Sequence, residues 1–365
     1  MTPLKLVLVC GARPNFMKIA PLVRALRAYP LDALLVHTGQ HYDERMSHLF
    51  FRQLDIPAPD VNLEVGSGSH AVQTAEIMRR FEPILQTHSP DCVVVVGDVN
   101  STIACALVAA KLGVRVAHVE AGLRSFDRSM PEEINRLLTD AISDLLFVSE
   151  PSGLENLRKE GVPPDRVHFV GNVMIDTLKS SIRAAESCTI LDDMRLARGQ
   201  FALVTLHRPS NVDDITTFSR IVDALDEIQQ DVPVLFPMHP RTRTNLSRNG
   251  LAARLSGMSR LQVVDPLGYL EFLTLMANAA AVLTDSGGIQ EETTILNVPC
   301  LTLRENTERP VTITHGTNVL VGTDARRIVA EYRRCRSRPR EPLAPPEKWD
   351  GRAAERIAAV LTSAI

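Results

Sequence analysis

Short apolar runs punctuate the first half of the chain at residues 4–10, 33–37, 92–96, 114–119, 145–148 and 167–170. Their apolar positions are nearly continuous rather than alternating. That pattern suits parallel strands covered on both faces. Helical patterns lie between them at residues 17–28, 72–87, 102–112 and 134–142. The β-α-β-α rhythm predicts a doubly wound sheet. Residues 177–198 are polar and helix-prone, with no strand signal. The rhythm then restarts, with strands expected at 201–206, 234–238, 261–264, 281–284, 300–303 and 319–321. Helices fit 215–228, 269–277, 288–296 and 325–333. A Pro- and charge-rich stretch, CRSRPREPLAPPEKW, reads as a surface connection. An amphipathic helix at 352–361 closes the chain.

The pattern predicts an α/β protein of two Rossmann-like doubly wound domains facing across a cleft. The expected divisions are 1–175, 176–340 and a C-terminal segment, 341–365, returning toward the first domain. In such sheets ligands bind outside the strand C-termini, so chemistry is sought just past each strand.

Composition narrows the function class. The chain has 365 residues, enough for two domains, and a net charge of −3. Nothing in that balance favours nucleic acid or an anionic membrane as partner. No apolar run approaches the ~18 residues of a membrane span, and the N-terminus lacks a signal-peptide pattern. Six cysteines at 10, 92, 105, 188, 300 and 335 form no Cys-x-x-Cys pair. A reduced, cytoplasmic protein without structural zinc is expected.

After the first strand, Gly11-Ala-Arg13 leads into a helix start that also carries Lys18. N–H groups at a helix N-terminus attract anions, and the two cations add charge. Neither a Walker A loop nor GxGxxG is present. Asp98 follows the strand 92–96, where an acid can hold a sugar hydroxyl, act as a base, or cap the next helix. Glu120 ends the strand 114–119. Glu132 and Glu133 follow Pro131, where acids also complement a helix dipole. Carboxylates on neighbouring loops can push their pKa values apart and separate an acid from a base. In the second half, His207-Arg208 and His239 each follow a strand. Asp285-Ser286-Gly287-Gly288 makes a close-approach turn before a helix, suited to a diphosphate. Glu292 lies one turn into that helix, placed to grip a ribose diol. Arg309 supplies another cation. These residues describe a nucleotide-sugar enzyme, with diphosphate on the second domain and carboxylates on the first.

GARPNFMKIAPLV, TGQHYDERM, HVEAGLRS, MPEEINR, GNVMIDTL, TLHRPSN, LTDSGGIQEE and ENTERPVT occur in that order, followed by HGTNVLVGTD. Together they resemble the non-hydrolysing UDP-N-acetylglucosamine 2-epimerases, of glycosyltransferase-B fold. The resemblance implies elimination of UDP to a 2-acetamidoglucal and its re-addition, without cofactor or metal. It implies catalytic roles for Asp98, Glu120, Glu132 and His207. It places UDP on Arg13, Lys18, Ser286, Gly287, Gly288, Glu292 and Arg309, with Phe272 beside the uracil. Gln40, His41, Arg208 and His239 are further cleft candidates. The resemblance implies a homodimer. Gly66–His70 lacks the Arg of the activator-dependent bacterial members, so a required second substrate molecule is not expected. The GQHYDERM and LHRPSNVD variants look more like archaeal members and enzymes acting on UDP-2,3-diacetamido-2,3-dideoxyglucuronate. That sugar is the main alternative substrate. A hydrolysing epimerase and a glycosyltransferase on the same scaffold are the remaining alternatives.

Overall fold

The structure, a computed structural model, describes residues 3–40, 44–248 and 250–365. Contacts divide the chain into two compact units. The first is Met1–Ser180 with Glu347–Ile365, and the second is Ser181–Pro346.

The first unit holds a parallel sheet of β1 (Leu4–Cys10), β2 (Leu31–His37), β3 (Val61–Asn62), β4 (Cys92–Val96), β5 (Arg115–Ala121), β6 (Leu145–Val148) and β7 (Val167–Phe169). Its spatial order is β3-β2-β1-β4-β5-β6-β7, which reverses between β1 and β4. The continuous Val run of β4 is fully buried, as expected of a strand covered on both faces. One face meets Ile77, Phe81 and Leu85 of the helix His70–His88. It also meets Ala104, Cys105 and Ala109 of the helix Asn100–Lys111, small side chains that admit close packing. The helix Ala353–Ala364 packs on Arg13–Leu26. Asp176 accepts its first free N–H groups, from Ala353 and Ala354, at 3.1 and 2.7 Å.

The second unit repeats the scheme with β8 (Ala202–Thr205), β9 (Val234–Pro237), β10 (Leu261–Val264), β11 (Ala281–Thr284), β12 (Cys300–Thr302) and β13 (Asn318–Leu320). The order is β10-β9-β8-β11-β12-β13, again all parallel, and it reverses between β8 and β11. Its core joins Val204, Phe236, Leu283 and Leu301 of the sheet to Phe218, Ile221 and Leu225 from the helix Ile215–Asp231.

Some elements differ from expectation. Helices Pro151–Lys159, Pro209–Val212 and Pro240–Arg248 were not among the expected elements. Proline fits the first helical position, where its missing N–H would have no intrahelical partner. The stretch expected to be a surface connection is helical through Ser337, and it ends on a buried anchor. Trp349 is 1% exposed, and its indole donates to the Ser149 carbonyl at 2.9 Å. Among the described residues no helix is long and apolar enough to cross a membrane.

Candidate active site

Each sheet reverses its strand order at a point where loops diverge and leave room for a ligand. In the first unit the flanking loops are Gly11-Ala12 after β1 and Gly97-Asp98 after β4. Asn15 ties them together. Its Oδ1 accepts from Gly11 and Ala12 N–H, both at 3.1 Å, and its Nδ2 donates to the Val96 carbonyl at 3.0 Å. Gly97 takes a left-handed φ of 68°. A Cβ there would lie 2.7 Å from Lys18 Nζ and 3.3 Å from Glu120 Oε2. The loop that delivers Asp98 thus runs directly past the Lys18–Glu120 pair.

That pair is buried and ion-paired. Glu120 sits where the β5–β6 register shifts, with a φ of 78°. A left-handed backbone at a residue other than glycine stores roughly 1–3 kcal/mol and persists only where the surroundings enforce it. Such a residue, bearing a buried carboxylate at a strand end, is a functional-site signature.

Asp98 does not cap the following helix. The N-cap is Val99, with no side-chain bond. The Asp98 carboxylate instead meets Arg136 Nη1 at 2.5 Å and is partly exposed. Arg136 is held by Glu133, which also accepts the Ser125 and Phe126 N–H groups at 2.9 Å. Burial would raise the Glu133 carboxyl, but these N–H groups and the guanidinium hold it below its usual range. Glu133 therefore fixes the 125–126 loop, while half-buried Glu132 precedes it in the helix Pro131–Ile142. Gln40 is buried against the same loops, its Oε1 accepting from Ser101 Oγ at 2.7 Å. Gln73 and Asn100 extend this polar network, and Asn135 carries it to the Asp98 carbonyl. Arg13 is half-buried, its guanidinium 5.9 Å from the Phe50 ring centroid. His41 lies outside the described residues.

In the second unit the reversal brings His207, after β8, against Asp285, after β11. Asp285 is fully buried. It accepts the His207 and Arg208 N–H groups, and its Oδ1 meets His207 Nδ1 at 2.9 Å. Burial alone would raise its carboxyl, but His207 and the backbone donors hold it low. The His207 ring is about half exposed, so its Nδ1 is committed to Asp285 while the ring remains open to a ligand.

Ser286 is the N-cap of the helix Gly287–Leu296 and makes no side-chain cap. The first-turn N–H groups are therefore not taken by it. A Cβ at Gly287 would collide with the Arg309 guanidinium, so glycine admits that close approach. Arg309 is bound by Glu291 at 2.5 Å and Glu308 at 2.6 Å. Glu308 also meets Arg304 at 2.8 Å and Arg208 at 3.6 Å. Burial opposes its charge, yet Arg309, Arg304 and Arg208 hold its carboxyl well below the ordinary range. Three arginines over two carboxylates leave an excess of positive charge beside an open helix N-terminus, the requirements of a diphosphate site. Glu292 is buried in the same helix and accepts from Tyr269 Oη at 2.8 Å. Burial raises its carboxyl to about 7, although the Tyr269 bond opposes this. Half-buried Phe272 lies on the same helix as Tyr269, and His239 is exposed past β9.

Sequence reasoning passed over Arg136, Asn15 and the partnership of Asp285 with His207. Only Asp285 carried a local signal, an acid at a strand end before a glycine turn.

A doubly wound pair of units, with strand-end carboxylates in one and an anion-ready turn in the other, defines an enzyme of nucleotide-sugar chemistry. Comparison with known proteins narrows the class. The model of the UDP-N-acetylglucosamine 2-epimerase family matches residues 24–362. UDP-N-acetylglucosamine 2-epimerase from Methanocaldococcus jannaschii is 42% identical, over 98% of this chain and 99% of that protein. Its crystal structure in complex with UDP-GlcNAc and UDP superposes with a TM-score of 0.93, covering 98% of this chain and 99% of that one. UDP-2,3-diacetamido-2,3-dideoxy-D-glucuronate 2-epimerase from Pseudomonas aeruginosa is 43% identical, over 91% of this chain and 92% of that protein. The chain belongs to the UDP-N-acetylglucosamine 2-epimerase family, and is an isomerase of glycosyltransferase-B fold.

Proposed function

We propose that this enzyme interconverts UDP-N-acetylglucosamine and UDP-N-acetylmannosamine. The observation that carries the chemistry is the strained, buried Glu120 paired with Lys18 beside the Asp98 loop. The turn Ser286-Gly287-Gly288 with Arg309 holds the diphosphate, and Glu292 the ribose, with Phe272 at the uracil. Arg13 and Lys18 add positive charge toward the departing diphosphate. A carboxylate takes the C2 proton, and the C2–H bonding pair forms the C1–C2 double bond. The C1–O bond breaks, and UDP leaves with the C1–O bonding pair. A second acid then protonates the opposite face of C2 while a β-phosphate oxygen re-forms the bond to C1. Asp98, Glu120 and Glu132 supply this acid and base, and His207 assists the diphosphate. Atoms and electrons balance without an oxidant, so isomerisation needs no redox partner.

A second reading is epimerisation of UDP-2,3-diacetamido-2,3-dideoxyglucuronate. It is favoured by the near-full-length identity of 43% to the enzyme named for that sugar. We also infer a cytoplasmic homodimer. The six free cysteines fit a reducing compartment. Phe126, Ile134 and Leu138 leave apolar surface on the first unit.

Proton NMR with UDP-N-acetylglucosamine in D2O tests the proposal. UDP-N-acetylmannosamine bearing deuterium at C2 is expected. Free N-acetylmannosamine would contradict re-addition. Turnover of the diacetamido-glucuronate alone would select the second reading.

A further inference from the structure

β5 carries a histidine that the proposed chemistry leaves unused. His118 is fully buried, one residue before Val119 and two before Glu120. Its Nε2 lies 2.8 Å from the Gly97 carbonyl. A carbonyl only accepts, so Nε2 carries a proton and donates it. Its Nδ1 meets Asp140 Oδ1 at 2.6 Å. The other Asp140 oxygen accepts the Gly122 N–H at 3.0 Å and Arg124 Nη1 at 2.7 Å. Arg124 in turn donates to the Leu123 carbonyl at 2.7 Å and to Glu160 at 2.7 and 2.8 Å. Burial alone would raise the Asp140 carboxyl, but His118 and Arg124 hold it below its usual range.

The two ends of this chain of bonds lie next to the two carboxylates. Gly97 immediately precedes Asp98, and Gly122 lies two residues past Glu120. The imidazole reaches both through backbone: the Gly97 carbonyl precedes Asp98, and His118 shares β5 with Glu120. His118, Asp140 and Arg124 are buried, and a buried, satisfied network of this kind is rigid. We propose that His118, its ring oriented by Asp140, is a positioning residue whose Nε2 bond clamps the Gly97–Asp98 loop to β5 beside Glu120. It sets the separation of the two carboxylates that work on C2. This rests on the assignment of acid/base roles to Asp98 and Glu120.

Two amides divide the ring's functions. Glutamine places its amide near the position of Nε2 and can still donate to Gly97. Asparagine places its amide near Nδ1 and reaches Asp140 but not Gly97. His118→Gln and His118→Asn are compared for kcat, KM and UDP affinity, with wild-type turnover of UDP-N-acetylglucosamine and of the diacetamido-glucuronate measured first. A misplacement of about 1 Å in a catalytic group can slow the reaction about 100-fold. His118→Gln is expected to keep at least about ten times the kcat of His118→Asn, with KM and UDP affinity alike in both. Equal kcat in the two variants would overturn the clamp, as would a loss of UDP affinity in step with kcat. If His118→Asn does not fold, His118→Gln decides alone. A fall beyond about 100-fold at unchanged UDP affinity contradicts the clamp, since this variant keeps the Gly97 bond. The acid/base assignment fails separately, if Asp98→Asn and Glu120→Gln turn over substrate like the wild type while His118→Asn is slow.

Discussion

The two sheets reverse at equivalent points, yet what stands there differs. In the first unit the reversal between β1 and β4 presents carboxylates on a strained, tightly bonded frame: Glu120 at a φ of 78° and Asp98 on Arg136. In the second unit the reversal between β8 and β11 presents a glycine turn and an excess of arginine. On the proposed reading, the same topology hosts proton transfer at one switch point and anion binding at the other. The difference lies in the few residues past each strand, since the β-α-β frame behind them is shared. Strain and opposed charges mark the first site. An uncapped helix N-terminus and surplus arginines mark the second.

The sharpest way to break this contrast is at the carboxylates. Asp98→Asn and Glu120→Gln should each lower kcat about 10³-fold, the usual contribution of a general acid or base. UDP affinity by calorimetry should stay within about twofold. Parallel losses of both would erase the division.

The next effect is on stability, and belongs to the second unit. Burial lifts Glu292 to about 7 from an ordinary 4.5. The folded state binds this proton more tightly than the unfolded chain does. Its contribution is therefore fully present below pH 4.5 and is lost as pH rises toward about 7. Full loss is worth about 3 kcal/mol. Glu292→Gln cannot ionise, so it should match the wild type near pH 5 and exceed it in denaturant melts at pH 8. A constant difference across that range would refute the buried, protonatable state.

A smaller effect is expected at Gly287. Gly287→Ala should force the Arg309 guanidinium aside and weaken UDP binding about tenfold, the worth of one charge-assisted hydrogen bond. The C2 chemistry should persist at saturating substrate. A lowered kcat with unchanged UDP affinity would move Gly287 to the wrong side of the comparison.

The frame was legible because parallel, doubly covered strands leave continuous apolar runs. Residues 4–10, 92–96, 145–148, 261–264 and 281–284 match their strands end to end. Short elements were not legible. β3 has two residues, too few for a periodic signal. The helices opening on Pro151, Pro209 and Pro240 were not expected. Trp349 stood in a polar run whose composition says surface, while its indole is anchored in the first unit. At the site, strand ends pointed to Asp98, Glu120 and the Ser286 turn. Partners were invisible, because pairing depends on tertiary placement. A helix cap was one of the roles open to Asp98, and it instead meets Arg136, 38 residues on. Glu133 looked like a dipole-complementing acid and instead holds the 125–126 loop. His118 and Asp140 lie 22 residues apart, one inside a strand and one inside a helix, with no motif joining them.

One measurement bears most directly on the division of labour between the units. Glu120→Gln is incubated with UDP-N-acetylglucosamine in D2O, and deuterium uptake at C2 is followed by NMR while UDP binding is titrated on the same preparation. Chemistry confined to the first unit requires deuterium uptake to fall about 10³-fold with UDP binding intact. Uptake at the wild-type rate, or loss of UDP binding together with uptake, would contradict it.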